Sequence, residues 1–259
     1  MVKRAQQVFG LHAVRSLLER NPERVSLLLA LESRHDTRMQ TVVDLAEKAN
    51  VPVRRVDRGE LDARVPGASH QGVVASMTEV TRPSEHDLAG FLDRLDRPAF
   101  LLILDGVQDP HNLGACLRTA DAAGVDAVLL PKDRSAPLNA TARKVACGAA
   151  DLVPVLRVTN LARTLRVLRD AGIWIYGAAG DAHQSLYETD LHGPVALVLG
   201  GEGRGLRRLT RDHCDGLLKI PMVGSVSSLN VSVATGICLF EARRQRQWGG
   251  VAAVSSPGA

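Results

Sequence analysis

Three polar groupings in an otherwise apolar half of the chain carry residue types that can do chemistry. Asp105 to Gly124, DGVQDPHNLGACLRTADAAG, sets Asn112 where a helix N-cap belongs and Arg118 six residues on, in the second turn. Leu197 to Leu206, LVLGGEGRGL, places a single carboxylate, Glu202, among glycines at 200, 201, 203 and 205. The stretch from Ile220, IPMVGSVSSLNVSVATGICLFEA, gathers Ser227, Ser228 and Asn230 just ahead of an apolar helix. Together they offer one carboxylate, one guanidinium, two amides and hydroxyls. That set contains no Ser-His-Asp or Cys-His arrangement, no metal cluster and no carboxylate pair. It suits group transfer by positioning better than hydrolysis or covalent catalysis.

Each grouping also has a plain explanation. Asn is a helix cap by type, and Arg is an ordinary surface charge. The glycine loop lacks the Gly-Lys-Ser/Thr of a Walker loop, and position 206 is Leu where a dinucleotide fingerprint needs Gly. A tight turn accounts for its glycines, though not for Glu202. Capping accounts for one of Ser227, Ser228 and Asn230. Three such residues buried in an apolar stretch need partners, and a polar ligand would supply them.

The elements that must position these groups follow from hydrophobic periodicity. AFLLILD (99–105), DAVLLP (126–131), IWIYG (173–177), PVALVLGG (194–201) and LKIPM (218–222) read as buried strands. Helices are predicted from Asn112 to Gly124, through TARKVACGAA (141–150), after a cap at Thr159 or Asn160, and from about Asn230 to Gln245. Continuous Val/Leu/Ile runs between helices imply a parallel sheet covered on both faces, with ligands at the carboxyl ends of its strands. Residues 1–79 alternate on a smaller scale. Helices at 11–20, 39–50 and 59–65 separate strands at 25–30, 51–56 and 72–77, which makes a small α/β layer structure. The proline-bounded, charged segment 80–97 is the expected linker, with a short helix from His86 to Leu95. Residues 98–246 form the second domain and 247–259 a small-residue, flexible tail.

Composition narrows the function classes. With 45% hydrophobic and 23% charged residues in 259, the chain is neither disordered nor fibrous. A net charge of +4 permits an anionic partner without demanding one, and five lysines among 32 cations make the basic character nearly all arginine. Arg54-Arg55 and Arg204/Arg207/Arg208 are candidate phosphate contacts, or solvated charge. Four scattered cysteines and no HxxxH spacing argue for reduced thiols and no metal site. The uncharged run Ile220–Phe240 has the length of a membrane span. Its proline, serines, Asn230 and Thr235 make spanning costly, and the start has no secretory apolar core. A cytoplasmic protein is expected.

The order N-x5-R, then LVLGGEGRGL, then IPMVGSVSSLNVSVA resembles the three motifs of the SpoU/TrmH RNA ribose methyltransferases, within the SPOUT superfamily. The likeness spans roughly residues 98–245, and VFGLHAV to HQGVVAS is similar to the family's small substrate-binding domain, related in shape to ribosomal protein L30e. The resemblance implies an α/β fold with a deep C-terminal trefoil knot, a rare exception to unknotted topology. It implies S-adenosylmethionine as cofactor, held around Gly200, Ile220, Met222 and Leu229, and a homodimer whose interface completes each site. It places Asn112, Arg118, Glu202, Ser228 and Asn230 at catalytic or substrate-contacting positions. The implied activity is 2′-O-methylation of a guanosine ribose in the peptidyl-transferase region of large-subunit (23S) rRNA.

The base stays open at this level. The family proposal gives the role to Arg118, but arginine scarcely deprotonates, and charge stabilisation asks less of it. Glu202 is the rival base, with Asn112 orienting Arg118 or the ribose, and Ser228 and Asn230 holding substrate or loop. With eight aromatic residues, the chain lacks the stacking surfaces of a single-strand binder, so recognition should rest on phosphate and shape, gripped by the N-terminal domain. Two alternatives compete: methylation of another rRNA or tRNA nucleotide, and a non-catalytic RNA-binding ribosome assembly factor. The extra N-terminal domain speaks against a minimal tRNA enzyme, and a binder has no need of all five motif residues.

Overall fold

The computed structural model describes residues 7–77, 85–203 and 205–248, and the chain divides into two compact units, Met1–Thr81 and Arg82–Ala259. The first unit runs β1 (Gln7–Phe9), α1 (Leu11–Arg20), β2 (Val25–Leu31), α2 (Thr37–Lys48), β3 (Val53–Val56), α3 (Arg58–Arg64) and β4 (Val73–Met77). Its sheet has the order β1-β4-β2-β3, parallel only between β2 and β3. The Asp36 carboxylate accepts from the N–H of Arg38 and Met39 and so starts α2. Met39, Val42, Val43 and Ala46, spaced to share one face, then bury it. β1 escapes a periodicity reading because it is three residues long with one buried, Val8.

The second unit contains α4 (Leu88–Asp93), β5 (Phe100–Asp105), α5 (Pro110–Ala123), β6 (Ala127–Pro131), α6 (Ala140–Val145), α7 (Ala149–Leu152), β7 (Val155–Val158), α8 (Leu161–Asp170), β8 (Trp174–Ala178), β9 (Gln184–Ser185), β10 (Val195–Gly200), α9 (Arg208–Asp212), β11 (Gly216–Lys219) and α10 (Val231–Trp248). All strand pairs are parallel, in the order β7-β6-β5-β10-β8-β11-β9. The last long strand before the motif loops thus sits at the sheet's centre. Side chains alternate across the sheet. Phe100, Leu102 and Leu104 of β5 join Leu113, Leu117, Cys238 and Leu239 of α5 and α10 on one face. Leu101 and Ile103 meet Leu161, Leu165 and Leu168 of α8 on the other. Every β5 residue is buried, which is why five large apolar residues, Phe100 to Leu104, run without a polar break before Asp105.

Several local expectations change. The cap of α5 is Asp109, whose carboxylate accepts from His111 N–H, with Pro110 opening the helix; Asn112 is its third residue and buried, not its cap. Gly124, at φ +73°, closes the helix as expected. The helix through TARKVACGAA breaks into α6 and α7 because Cys147 and Gly148 take positive φ. β11 ends at Lys219, so Ile220, Pro221 and Met222 are loop. Of the expected linker, 80–84 lie outside the described residues, while Leu88 is buried in the second unit with Phe91, Leu92 and Leu95 packed around it. Of the expected tail, 249–259 lie outside the described residues and Trp248 still belongs to α10.

Candidate active site

Three of the five polar motif residues meet through side-chain hydrogen bonds. Asn112 Nδ2 donates to Glu202 Oε1. Asn230 Nδ2 donates to Asn112 Oδ1 at 3.1 Å and, more weakly, to the same Glu202 oxygen at 3.3 Å. Asn230 Oδ1 in turn accepts from the N–H and hydroxyl of Ser232, at 2.8 and 2.6 Å, and so caps α10. One buried amide near the start of α5 therefore ties the glycine loop to the helix after the third motif. Glu202 Oε2 has no partner among the described residues.

The loop that carries Glu202 is built on close approach. A Cβ on Gly200 would lie 2.1 Å from the carbonyl carbon of Gly205, and one on Gly201 would lie 2.2 Å from the Gly106 oxygen. Gly203 and Gly205 take φ of +76° and +61°, where a side chain strains the backbone. Beneath the loop, Asp105 ends β5 with its side chain 0% exposed. It accepts from Arg207 N–H at 3.0 Å and Arg207 Nε at 2.5 Å, while its carbonyl accepts from Gly201 N–H at 2.9 Å. Asp105 and Arg207 thus clamp both ends of the glycine loop to the carboxyl end of β5. The carboxylate is fully buried while the guanidinium is 41% exposed, so water screens the pair from one side and it holds less strongly than a fully buried one. Arg207 is a structural cation, not a free phosphate contact; Arg204 lies outside the described residues.

Beside this junction lies a cavity of about 410 Å³. Gly200, Ile220, Met222 and Leu229, the four expected cofactor residues, all line it, as do Glu202 and Ser228. Leu199 and Leu206 add apolar wall, and Asp181 and Arg211 add charge. The polar residues of the third motif are not buried as expected: Ser227, Ser228 and Asn230 are all exposed, so burial alone does not require a ligand for them. Arg118 stands apart. It is exposed on α5 and has no hydrogen bond or ion pair among the described residues, so Asn112 does not orient it.

Other groups have structural roles. Arg54 pairs with Glu60, and Arg55 Nη1 donates to the carbonyls of Leu31 and Arg34, which leaves that run little freedom to bind phosphate. Burial pushes the Cys116 thiol up to about 11 and those of Cys214 and Cys238 to about 12, so these are inert core groups; Cys147 alone is exposed. Among the described residues no group of His, Cys, Asp or Glu is arranged to hold a metal, and no helix is long and apolar enough to cross a membrane. Sequence reasoning missed Asp105, Asp181 and Arg211, and it read Arg207 as a phosphate contact where the structure pairs it with Asp105. Nothing in their local pattern separates them from other loop-end charges.

The chain is similar to known proteins over most of its length. Residues 99–240 match the family model described as SpoU rRNA Methylase family, and residues 7–83 match RNA 2′-O ribose methyltransferase substrate binding. The chain is 58% identical over 239 residues to the 23S rRNA (guanosine-2′-O-)-methyltransferase RlmB of Pectobacterium atrosepticum, covering 92% of this chain and 98% of the relative. It is 57% identical over 242 residues to RlmB of Escherichia coli K12, covering 93% and 99%. Among solved structures, an AdoMet-bound rRNA methyltransferase from Sinorhizobium meliloti aligns with a TM-score of 0.65 at 26% identity, over 93% of this chain and 88% of its own. A TrmH/SpoU tRNA modifying enzyme of A. aeolicus aligns with a TM-score of 0.54 at 30% identity, over 64% and 84%. With its glycine loop, amide junction and parallel sheet all in the matched region, the chain belongs to the SpoU rRNA Methylase family.

Proposed function

We propose that this chain transfers a methyl group from S-adenosylmethionine to a guanosine 2′-hydroxyl of 23S rRNA, in the peptidyl-transferase region. The observation that carries the reading is the junction of Asn112, Glu202 and Asn230 at a cofactor-sized cavity, in a chain that matches enzymes of that activity over nearly their whole length. The cavity's volume falls within the range of small-molecule sites. Its residues fit the donor: Leu199, Leu206, Ile220 and Leu229 offer apolar wall to a flat base, and the backbone at Gly203 and Gly205, where a Cβ would meet nothing within 4 Å, admits close contact. Met222 completes the rim. When bound, the donor supplies a methyl group made electrophilic by its sulfonium.

The chain's own residues then handle the ribose hydroxyl, a poor nucleophile that must lose its proton as it attacks. Glu202 Oε2 takes that proton, while the amides of Asn112 and Asn230 fix the carboxylate through Oε1. Ser228 holds the substrate beside them. Arg118 stabilises the developing negative charge on the 2′-oxygen and anchors a neighbouring phosphate. Six residues along a helix is about 9 Å and about 120° around the axis from Asn112, so Arg118 serves the site of a second copy. A homodimer is the arrangement this requires. The exposed Val233 and Phe240 of α10, each 50% accessible, supply apolar surface of the kind that marks an interface.

The position of β10 between β5 and β8, with the chain then passing outside β8 to β11, supports a deep trefoil knot in this unit. The first unit, L30e-like in shape, grips the rRNA, and the enzyme works in the cytoplasm with its substrate. Mapping of 2′-O-methylation in RNA from a deletion strain tests the reading. One unmethylated guanosine in 23S rRNA, restored by the wild-type chain, is expected. Loss at a tRNA or another rRNA nucleotide instead would reassign the substrate. Unchanged methylation everywhere would leave only a binding role in ribosome assembly.

A further inference from the structure

Two charged residues of the cavity have no part in the scheme above: Asp181, in the loop after β8, and Arg211, in α9. Arg211 Nη1 and Nη2 donate to Asp181 Oδ1 and Oδ2 at 3.0 and 2.9 Å, a fork laid on a carboxylate. Both partners are held from behind. Arg211 follows Arg207 by one helical turn, and Arg207 is anchored on the buried Asp105. Gly180, next to Asp181, packs beside the third motif, since a Cβ there would lie 3.7 Å from the Ser227 carbonyl oxygen. The Arg211 hydrogen bonds hold the Asp181 carboxyl below its usual range, so it is ionised at neutral pH.

A bidentate guanidinium uses one lone pair on each carboxylate oxygen and leaves the second. The Asp181 side chain is 68% exposed, so those remaining acceptors are open. Among the described residues lining the cavity, Asp181, Glu202 and Arg211 are the charged ones, and Glu202 Oε1 is committed to two amides. Asp181 is therefore the carboxylate with paired, uncommitted acceptors. Arg211 cancels its charge, which favours two neutral donors over a cation. A nucleoside presents such a pair in its vicinal ribose hydroxyls, which an acidic side chain is suited to accept.

We propose that Asp181, oriented by Arg211, recognises the ribose diol of the methyl donor. The assignment rests on the reading that this cavity holds S-adenosylmethionine, and the experiment keeps the two separable. Calorimetry on the full chain uses S-adenosylhomocysteine and 5′-methylthioadenosine, which keeps the diol but lacks the amino-acid end. Asp181→Ala is expected to weaken both by a similar factor, about tenfold or more for a hydrogen bond to a charged group. Arg211→Ala should weaken both by less, because it removes orientation only. With 2′-deoxy-5′-methylthioadenosine the loss from Asp181→Ala should largely vanish, a readout that a merely structural role would not move. Asp181→Asn, which keeps the shape, guards against a folding defect. Weakening of S-adenosylhomocysteine alone would move Asp181 to the ammonium group and overturn the diol assignment. Unchanged affinity for both ligands would overturn the site. Failure of the wild-type chain to bind either ligand would instead overturn the donor reading itself.

Discussion

Asn112 Oδ1 accepts a hydrogen bond from Asn230 Nδ2 at 3.1 Å, across 118 residues of chain. Both amides also donate to one oxygen of Glu202, so the three residues act as a unit. Removing either amide frees the carboxylate to swing. Asn112→Ala and Asn230→Ala should each lower kcat by about a hundredfold, roughly 2.7 kcal/mol, and the double variant by little more than either. Donor affinity should change less than threefold. Rates on rRNA together with calorimetry check both; additive losses would show that the amides act independently.

The polar members of that unit were legible because they stand out from apolar or glycine-rich surroundings, and the strands because β5, β6 and β10 are runs of apolar residues dominated by Leu, Ile and Val. The start of α5 was misread although its signal was present: Asp109-Pro110 is a cap followed by a proline at the first helical position. The Asp105–Arg207 clamp left no such trace. Asp105 looks like any residue ending a strand, Arg207 is one of several neighbouring arginines, and their pairing spans 102 residues. Periodicity reports which face of an element is buried, not which distant side chain meets it. The same limit hid the exposure of Ser227 and Ser228, since an uncharged stretch reads as buried.

Glu85 should make the second unit acid-sensitive. Its side chain is 9% exposed, and burial by itself would raise its pKa. The N–H and hydroxyl of Thr159 and the Arg163 guanidinium outweigh that and lower it to about 2, from 4.5. A carboxyl with a depressed folded pKa contributes stability that is full above about 4.5 and fades as pH falls toward 2. Because Arg163 and Lys132 are more than half exposed, the contribution is about 1–2 kcal/mol. Glu85→Gln should therefore lower Tm at pH 7, and the gap to the wild type should close between pH 4.5 and pH 2. A gap independent of pH would assign the effect to packing.

The catalytic unit should begin upstream of β5. Leu88 is 3% exposed, and Phe91, Leu92 and Leu95 pack on the same cluster as β5 and α8. A chain starting at Glu85 keeps this cover and should fold and bind S-adenosylhomocysteine. One starting at Arg97 loses it. Burying Leu88 alone is worth about 1.5–3 kcal/mol, and with its neighbours the loss should reach about 3–5 kcal/mol, lowering Tm by roughly 10 °C or more. Equal melting temperatures would make α4 dispensable. Either truncation should lose most activity on rRNA, because both lack the first unit.

Arg118 decides whether one protomer or two build the site. It has no partner among the described residues, and its place on α5 turns it away from Asn112. If it completes the site of a second copy, an Arg118→Ala chain and a Glu202→Gln chain are each inactive alone. Mixed and allowed to exchange subunits, they form a heterodimer with one site carrying both defects and one carrying neither. About a quarter of wild-type activity should then return, since half the dimers are mixed and each has one intact site. If both residues serve the same protomer's site, every site in the mixture keeps one defect and no activity returns. The chemistry of Arg118 is separable from its placement. As a charge stabiliser it should tolerate Arg118→Lys with a loss well short of Arg118→Ala, and the acid limb of the pH–rate profile should stay where it is. A shift of that limb to lower pH in Arg118→Lys, with Glu202→Gln still active, would make the arginine the base and remove Glu202 from the proton transfer.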